Sequence, residues 1–93
     1  MGCEINYKKA LYWYEKAAEQ GNADAQANVA KMYYDGAGCE VNYKKALYWY
    51  EKAAEQDQMV AQINIAMMYY AGQGCTADQK KALYWFEKVA EQG

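Results

Sequence analysis

Apolar residues recur along this chain at steps of three and four, the spacing that lines one face of an α-helix. Ala10, Leu11, Tyr14, Ala17 and Ala18 form the first such stripe, with Trp13 at its flank. Tyr12, Glu15, Lys16 and Glu19 fall on the solvent side. The segment that carries it, YKKALYWYEKAAEQ from Tyr7 to Gln20, returns letter for letter from Tyr43 to Gln56. It returns again from Gln79 to Gln92, where Gln79, Phe86 and Val89 stand for Tyr43, Tyr50 and Ala53. Between these copies lies a second kind of stripe: Ala25, Val29, Ala30 and Tyr33 with Met32 beside them, then Ala61, Ile65, Ala66 and Tyr69. The pattern predicts five helices, near residues 6–20, 22–35, 42–56, 58–71 and 78–92. Two types alternate in the order B-A-B-A-B, where B denotes the YKKALYWYEKAAEQ helix.

The ends of these segments carry the expected punctuation. Asn6, Asn22, Asn42 and Asp78 each place a side-chain oxygen where it can accept from the free N–H groups of a first helical turn. Gly21 closes the first helix, and Gly36 with Gly38, then Gly72 with Gly74, bracket the loops after the A helices. Asp57 stands where Gly21 stands one period earlier. Either it takes a positive φ at a cost of about 1 kcal/mol, or it caps the next helix and the turn is reshaped.

Ala10, Ala46 and Ala82 stand 36 residues apart. A period of that size marks stacked supersecondary units, none of which buries its apolar face alone. At 93 residues the chain is one domain at most, and we read residues 1–93 as a single all-α superhelix of about two and a half repeats. Much of its 54% apolar content is Ala together with 11 Tyr and 3 Trp. Small residues let helices approach while aromatic rings fill the gaps.

What the chain lacks narrows function. It has no His, Arg or Ser and a single Thr, Thr76, so the common nucleophile and base pairings cannot be assembled and no catalytic residue, cofactor or metal is expected. A net charge of −2 without Arg argues against nucleic acid. No apolar run is long enough to cross a bilayer, so no membrane role is expected. Cys3, Cys39 and Cys75 keep the same 36-residue spacing, each after a Gly. Equivalent positions in neighbouring units lie too far apart for a disulfide, so the thiols are expected reduced and largely buried, in keeping with a cytoplasmic or other reducing compartment. Met1-Gly2-Cys3 looks like an acylation signal, but Gly38-Cys39 and Gly74-Cys75 repeat it, and Asn6 departs from that motif.

The Gly-x-Gly loops, the KALYWYEKAAEQ helix and the Ala-(x)3-[Val/Ile]-Ala-x-x-Tyr pattern resemble the Sel-one-like repeat family over essentially the whole chain. In that family the pair before x-x-Tyr is more often Leu-Gly, where Val29-Ala30 and Ile65-Ala66 stand here. The residue after the second Gly is more often Val, where this chain has Cys. The resemblance implies a right-handed α-solenoid of tetratricopeptide type that acts as an adaptor or scaffold for other proteins. A designed or truncated consensus scaffold without a natural ligand is an alternative. Some cysteine-rich bacterial relatives are described as penicillin-binding or β-lactam-hydrolysing. They pair two Cys per repeat, whereas this chain has one, and it offers no Ser or His for such chemistry.

Two surfaces follow as candidates. If the A helices line the concave side, as the resemblance implies, Asn28, Lys31, Tyr34, Val60, Ile63, Asn64, Met67 and Tyr70 face a bound peptide or helix. Asp24, Ala27, Lys31 and Tyr34 on the first A helix become Val60, Ile63, Met67 and Tyr70 on the second, turning an outward polar stripe apolar. Either a partner covers that stripe or it packs internally. The second surface is at the ends, where no A helix precedes the first B helix or follows the last. Ala10, Leu11, Tyr14, Ala82, Leu83 and Phe86 are therefore expected to be uncovered and to drive self-association into a homo-oligomer. The Lys pairs opening each B helix, Lys8-Lys9, Lys44-Lys45 and Lys80-Lys81, serve either acidic partners or solubility.

Overall fold

The computed structural model describes residues 6–92. Five α-helices form where the periodicity places them: α1 (Tyr7–Glu19), α2 (Ala23–Asp35), α3 (Tyr43–Glu55), α4 (Met59–Ala71) and α5 (Gln79–Gln92). No strand occurs among the described residues. Side-chain caps start each helix. The Oδ1 atoms of Asn6, Asn22, Asn42 and Asp78 accept from the backbone N–H three residues on. Gln58 caps α4 in the same way, its Oε1 accepting from Ala61 N at 2.7 Å.

Each helix packs against its neighbours in sequence, α1 on α2, α2 on α3, α3 on α4 and α4 on α5. The result is a stack 46 Å long and about half as wide. Its core alternates Ala with larger side chains. Ala30, Ala46, Ala53, Ala61 and Ala66 are wholly inaccessible, as are Val29 and Ile65, and Tyr33, Tyr50 and Tyr69 fill the spaces between helices. Fully burying a Val or Ile contributes about 1.5 to 3 kcal/mol.

The turns resolve what the sequence left open. Asp57 takes a positive φ of 65°, and Gln58 rather than Asp57 caps α4. The turn keeps the shape it has at Gly21, so Asp carries the strain of a left-handed backbone there. Gly38 has a different reason to be glycine. Its backbone lies on the first turn of α1, where an added Cβ would stand 2.6 Å from the carbonyl carbon and oxygen of Tyr7. Gly74 meets Tyr43 in the same way one repeat later. The second Gly of each loop thus lets the loop ride on the preceding B helix.

Several surface assignments change. Ala27 is buried instead of outward-facing, because a further repeat follows α2 and covers that side. Glu15 is half-buried and accepts from Tyr33 Oη at 2.7 Å. The second Lys of the two later pairs has a local use: Lys45 lies over the Tyr33 ring and Lys81 over the Tyr69 ring, with Nζ 5.1 and 5.2 Å from the centroids. Cys39 and Cys75 are free but half-buried, not largely buried as their apolar character suggests. Each Sγ sits within weak donor range of one helix carbonyl and one loop carbonyl, for Cys39 those of Met32 at 3.6 Å and Ala37 at 3.7 Å. Burial raises both thiol pKa values, with Glu15 beside Cys39 and Glu51 beside Cys75 adding to it. Cys3 and the acylation-like start lie outside the described residues.

Candidate interaction surface

The outward face of α4 is the larger apolar exposure. Val60, Ile63, Met67 and Tyr70, at steps of three and four, share one side of the helix and are between 37% and 63% exposed. Asn64, on the same helix, is half-buried and spends one amide hydrogen on the helix backbone one turn back, Nδ2 donating to Val60 O at 2.9 Å. On α2, Asn28 and Lys31 are exposed. Lys31 pairs with Asp35 at 2.7 Å, and that carboxylate, through the hydrogen bond and its charge, raises the lysine pKa. Both side chains of this pair are well exposed, so it adds little stability.

Tyr34 does not belong to the free surface. Its ring packs on Tyr43 with centroids 5.0 Å apart, and its hydroxyl donates to Gln73 Oε1 at 3.1 Å. It forms one wall of a 380 Å³ groove between α2 and α4, in which Asn64 and Met67 also take part. Of the residues expected to meet a partner, the structure therefore brings Tyr34, Asn64 and Met67 together. Val60, Ile63 and Tyr70 extend along α4, and Asn28 and Lys31 lie one repeat earlier.

The ends divide the second expected set. Leu11 and Leu47 are 7% and 8% exposed, whereas Leu83 is 58% exposed. This position faces the A helix that follows, which α1 and α3 have and which α5 does not have among the described residues. Ala82 is buried, since its side faces the preceding A helix, which α5 has, while Ala10 is half-buried. Leu11 and Ala82 thus leave the uncovered set. Tyr50 is 3% exposed, but Tyr14 and Phe86 are each 41% exposed, so this position needs cover from both sides. At the first end Ala10 and Tyr14 contribute to a 390 Å³ groove with Tyr7, Asn28, Lys31 and Met32. Sequence reasoning passed over Tyr7 and Met32, although their repeat equivalents Tyr43 and Met68 could have been read as a matched wall.

Among the described residues no cluster of His, Cys, Asp or Glu could hold a metal ion. No described helix is long and apolar enough to cross a membrane. What the geometry offers is surface: helical hairpins in register, with grooves that recur along them and an apolar stripe on α4. That defines an α-solenoid of the repeat-scaffold class. The chain belongs to the Sel1 repeat family, whose model matches residues 1–22, 23–58 and 60–93.

Solved structures place it in the same group. A protective antigen of uropathogenic Escherichia coli strains, displaying an SLR fold, matches with a TM-score of 0.92 and 39% identity. The match covers 95% of this chain and 19% of the antigen. A Sel1 repeat protein from Oxalobacter formigenes matches with a TM-score of 0.93 and 41% identity, over 99% of this chain and 38% of that one. Helicobacter pylori cysteine rich protein B is more distant, at 26% identity and a TM-score of 0.89 over 96% of this chain and 67% of that protein. No curated protein sequence matches the chain. It therefore spans well under half the length of the first two structures it resembles. Sel1 repeat proteins are helical scaffolds that generally mediate protein–protein interaction.

Proposed function

We propose that this chain is a non-enzymatic interaction module, a single solenoid domain that holds a peptide or helix of another protein along its A-helix surface. The observation that carries this reading is the exposed apolar stripe of Val60, Ile63, Met67 and Tyr70 on α4, where the equivalent positions on α2 are polar or covered. A stripe of this kind on a solvent face marks a contact surface, and four such side chains spaced over three turns suit the i, i+3, i+7 anchors of an amphipathic partner. Asn28 and Lys31 supply polar contacts at one edge, and Tyr34, Asn64 and Met67 a groove at the other.

A displayed peptide library selected on the immobilised chain tests it. Selected peptides should bind with apolar residues at helical spacing. Met67→Lys or Val60→Asp should weaken them at least about tenfold while leaving the far-UV spectrum and Tm unchanged. Peptides that bind equally well to both variants would refute the A-helix site.

A second reading, self-association through the ends, is favoured by Leu83 and Phe86, which stand open where Leu47 and Tyr50 are buried. Covering them recovers roughly 25 cal/mol per Å². Sedimentation equilibrium should give a mass above one chain that falls with Leu83→Lys, and a concentration-independent monomer would exclude it.

A further inference from the structure

The first Lys of each B-helix pair has no use in the packing. Lys45 and Lys81 lie over tyrosine rings, but Lys44 and Lys80 meet neither a ring nor a carboxylate among the described residues. A cation in the first turn also opposes the helix dipole. Four residues after the first Lys of each pair comes a tyrosine, and four further on a second lysine, at Lys16, Lys52 and Lys88. Successive members of such a row stand about 6 Å apart along the helix axis. Tyr12, Tyr48 and Tyr84 are each 53% exposed. Tyr48, on α3, has helices before and after it in the stack, so this exposure belongs to the position and not to either end. Lys16, Lys52 and Lys88 bring Nζ to 5.2, 5.2 and 5.9 Å from the centroids of these rings. None of them pairs with the Glu three residues on, since the one ion pair among the described residues is Lys31 with Asp35. Trp49 and Trp85 stand nearly perpendicular to Tyr48 and Tyr84 at 5.1 Å between centroids and pack against the core, which holds the tyrosines in place.

Nine of the ten Lys lie on the three B helices, against six Glu there, so the net charge of −2 combines a positive B layer with a negative remainder. We propose that this B layer rests on an anionic membrane surface, its two rows of lysine reaching phospholipid headgroups and the row of tyrosine between them entering the interface. The shape of the array selects this occupant. Three helices with three such residues each make a grid in two dimensions, which a planar surface meets at every point, whereas a linear polyanion follows one row and leaves the other unmatched. Tyrosine between lysines is also the pairing that bilayer interfaces favour, an amphipathic ring at headgroup depth with ammonium groups beside it. Contact of this kind needs no spanning helix. Glu19, Glu55 and Glu91 lie about 10 Å along the axis from the tyrosine row, so the first-turn edge of the layer sits closest to the membrane. The α4 stripe is on an A helix and stays free for a protein partner.

The probes are unilamellar vesicles of phosphatidylcholine alone and of equal parts phosphatidylcholine and phosphatidylserine, with binding of the intact protein measured by co-sedimentation at low salt. Partition onto the mixed vesicles should exceed that onto phosphatidylcholine at least about tenfold and fade as salt shortens the screening length. Lys44→Gln and Lys52→Gln should each weaken it about fivefold, the effect of one lysine near a charged bilayer, while Lys31→Gln, the same charge change on α2, leaves it within about twofold. Replacing Tyr12, Tyr48 and Tyr84 together by Ser should weaken it at least about tenfold with the far-UV spectrum unchanged, since all three rings are exposed. Glu55→Gln should strengthen it at least about twofold, a gain that a folding defect does not produce. Equal partition onto the two kinds of vesicle, equal losses from Lys31→Gln and Lys52→Gln, or full binding by the tyrosine variant would each overturn the proposal. So would tighter binding to soluble heparin than to vesicles at equal charge concentration, which would assign the lysines to a linear polyanion.

Discussion

Replacing Asp57 with glycine should stabilise this protein, and two features of one turn set the size of the gain. Asp57 is the single non-glycine residue with positive φ among the described residues. The strain relieved is about 1 kcal/mol, less about half of that for the greater freedom of glycine in the unfolded chain. The second feature lies beside it. In the first repeat Gln26 is buried, its Nε2 donating to Ala18 O and its Oε1 accepting from Gln56 Nε2 at 2.9 Å. In the second repeat Gln62 donates likewise to Ala54 O, but its fully buried Oε1 has no partner among the described residues. The equivalent of Gln56 is Gln92, and its Nε2 instead donates to Asp57 Oδ1 at 3.3 Å. Gly21 has no side chain to compete for Gln56, whereas Asp57 holds Gln92 away from Gln62. Freeing Gln92 to satisfy a buried acceptor contributes about 1 to 3 kcal/mol, against a few tenths lost with the exposed bond to Asp57. The expected net gain is about 1 to 3 kcal/mol, a rise in Tm of at least roughly 5 °C for a chain this short. Thermal and urea unfolding followed by circular dichroism measure it, and a double-mutant cycle isolates the amide. Gln92→Ala should be nearly neutral in the natural sequence and cost about 1 kcal/mol in the Asp57→Gly background. Equal effects in both backgrounds, or no rise in Tm, would refute the competition.

Three further outcomes follow from the same geometry. Gly38→Ala should cost at least about 2 kcal/mol because its Cβ meets the Tyr7 backbone, while Gly21→Ala, with φ of 98° and open space around it, should cost about 1; equal unfolding midpoints for the two variants would contradict the close-approach argument. Burial, ahead of neighbouring acidic groups, pushes the hydroxyls of Tyr33, Tyr50 and Tyr69 up to about 12. The unfolded chain then loses those protons first as pH passes about 10, and stability should fall between about pH 10 and 12, with Tyr50→Phe flattening the decline in urea midpoint; a midpoint constant over that window would count against it. Cys39 and Cys75, with thiol pKa values raised by burial, should react with a disulfide reagent near pH 8 at least about tenfold faster in urea than in the native state; equal rates read by peptide mass spectrometry would show that the loop gives them no protection.

The periodicity made the helices legible because each is a strong three-and-four stripe closed by an Asn or Asp cap and a glycine. Tyr33, Val29, Ile65 and Tyr69 were recognisable as core for the same reason. Position in the stack was harder to read, since it depends on contacts that a single repeat does not contain. Leu11 and Leu83 have the same letters around them, and the difference between them is a neighbouring helix 12 to 20 residues along the chain that one has and the other lacks. Tyr34 was a candidate for partner contact and proves to be a repeat-to-repeat anchor. Its pairing with Tyr43 and Gln73 spans α3 and a loop, so no local pattern announces it. The Lys pairs were ambiguous for a related reason: the ring beneath Lys45 comes from the preceding A helix, 12 residues back.

Because the B helix occurs three times with nearly one sequence, the molecule separates what a residue is from what surrounds it. The position of Tyr14, Tyr50 and Phe86 is buried in the middle and open at both ends, although its chemistry hardly changes. The two ends nevertheless differ. The first presents a groove whose wall includes Asn28 and the ion pair of Lys31 with Asp35. The last presents Leu83 and Phe86 with Tyr70 of α4, all exposed. A polar-walled groove discriminates among occupants, because a partner lacking the matching donors leaves buried groups unpaired. An apolar face accepts any surface that excludes water from it. The difference between the two ends comes from the A-helix residues beside each copy and not from the B helix, whose sequence is nearly the same at both.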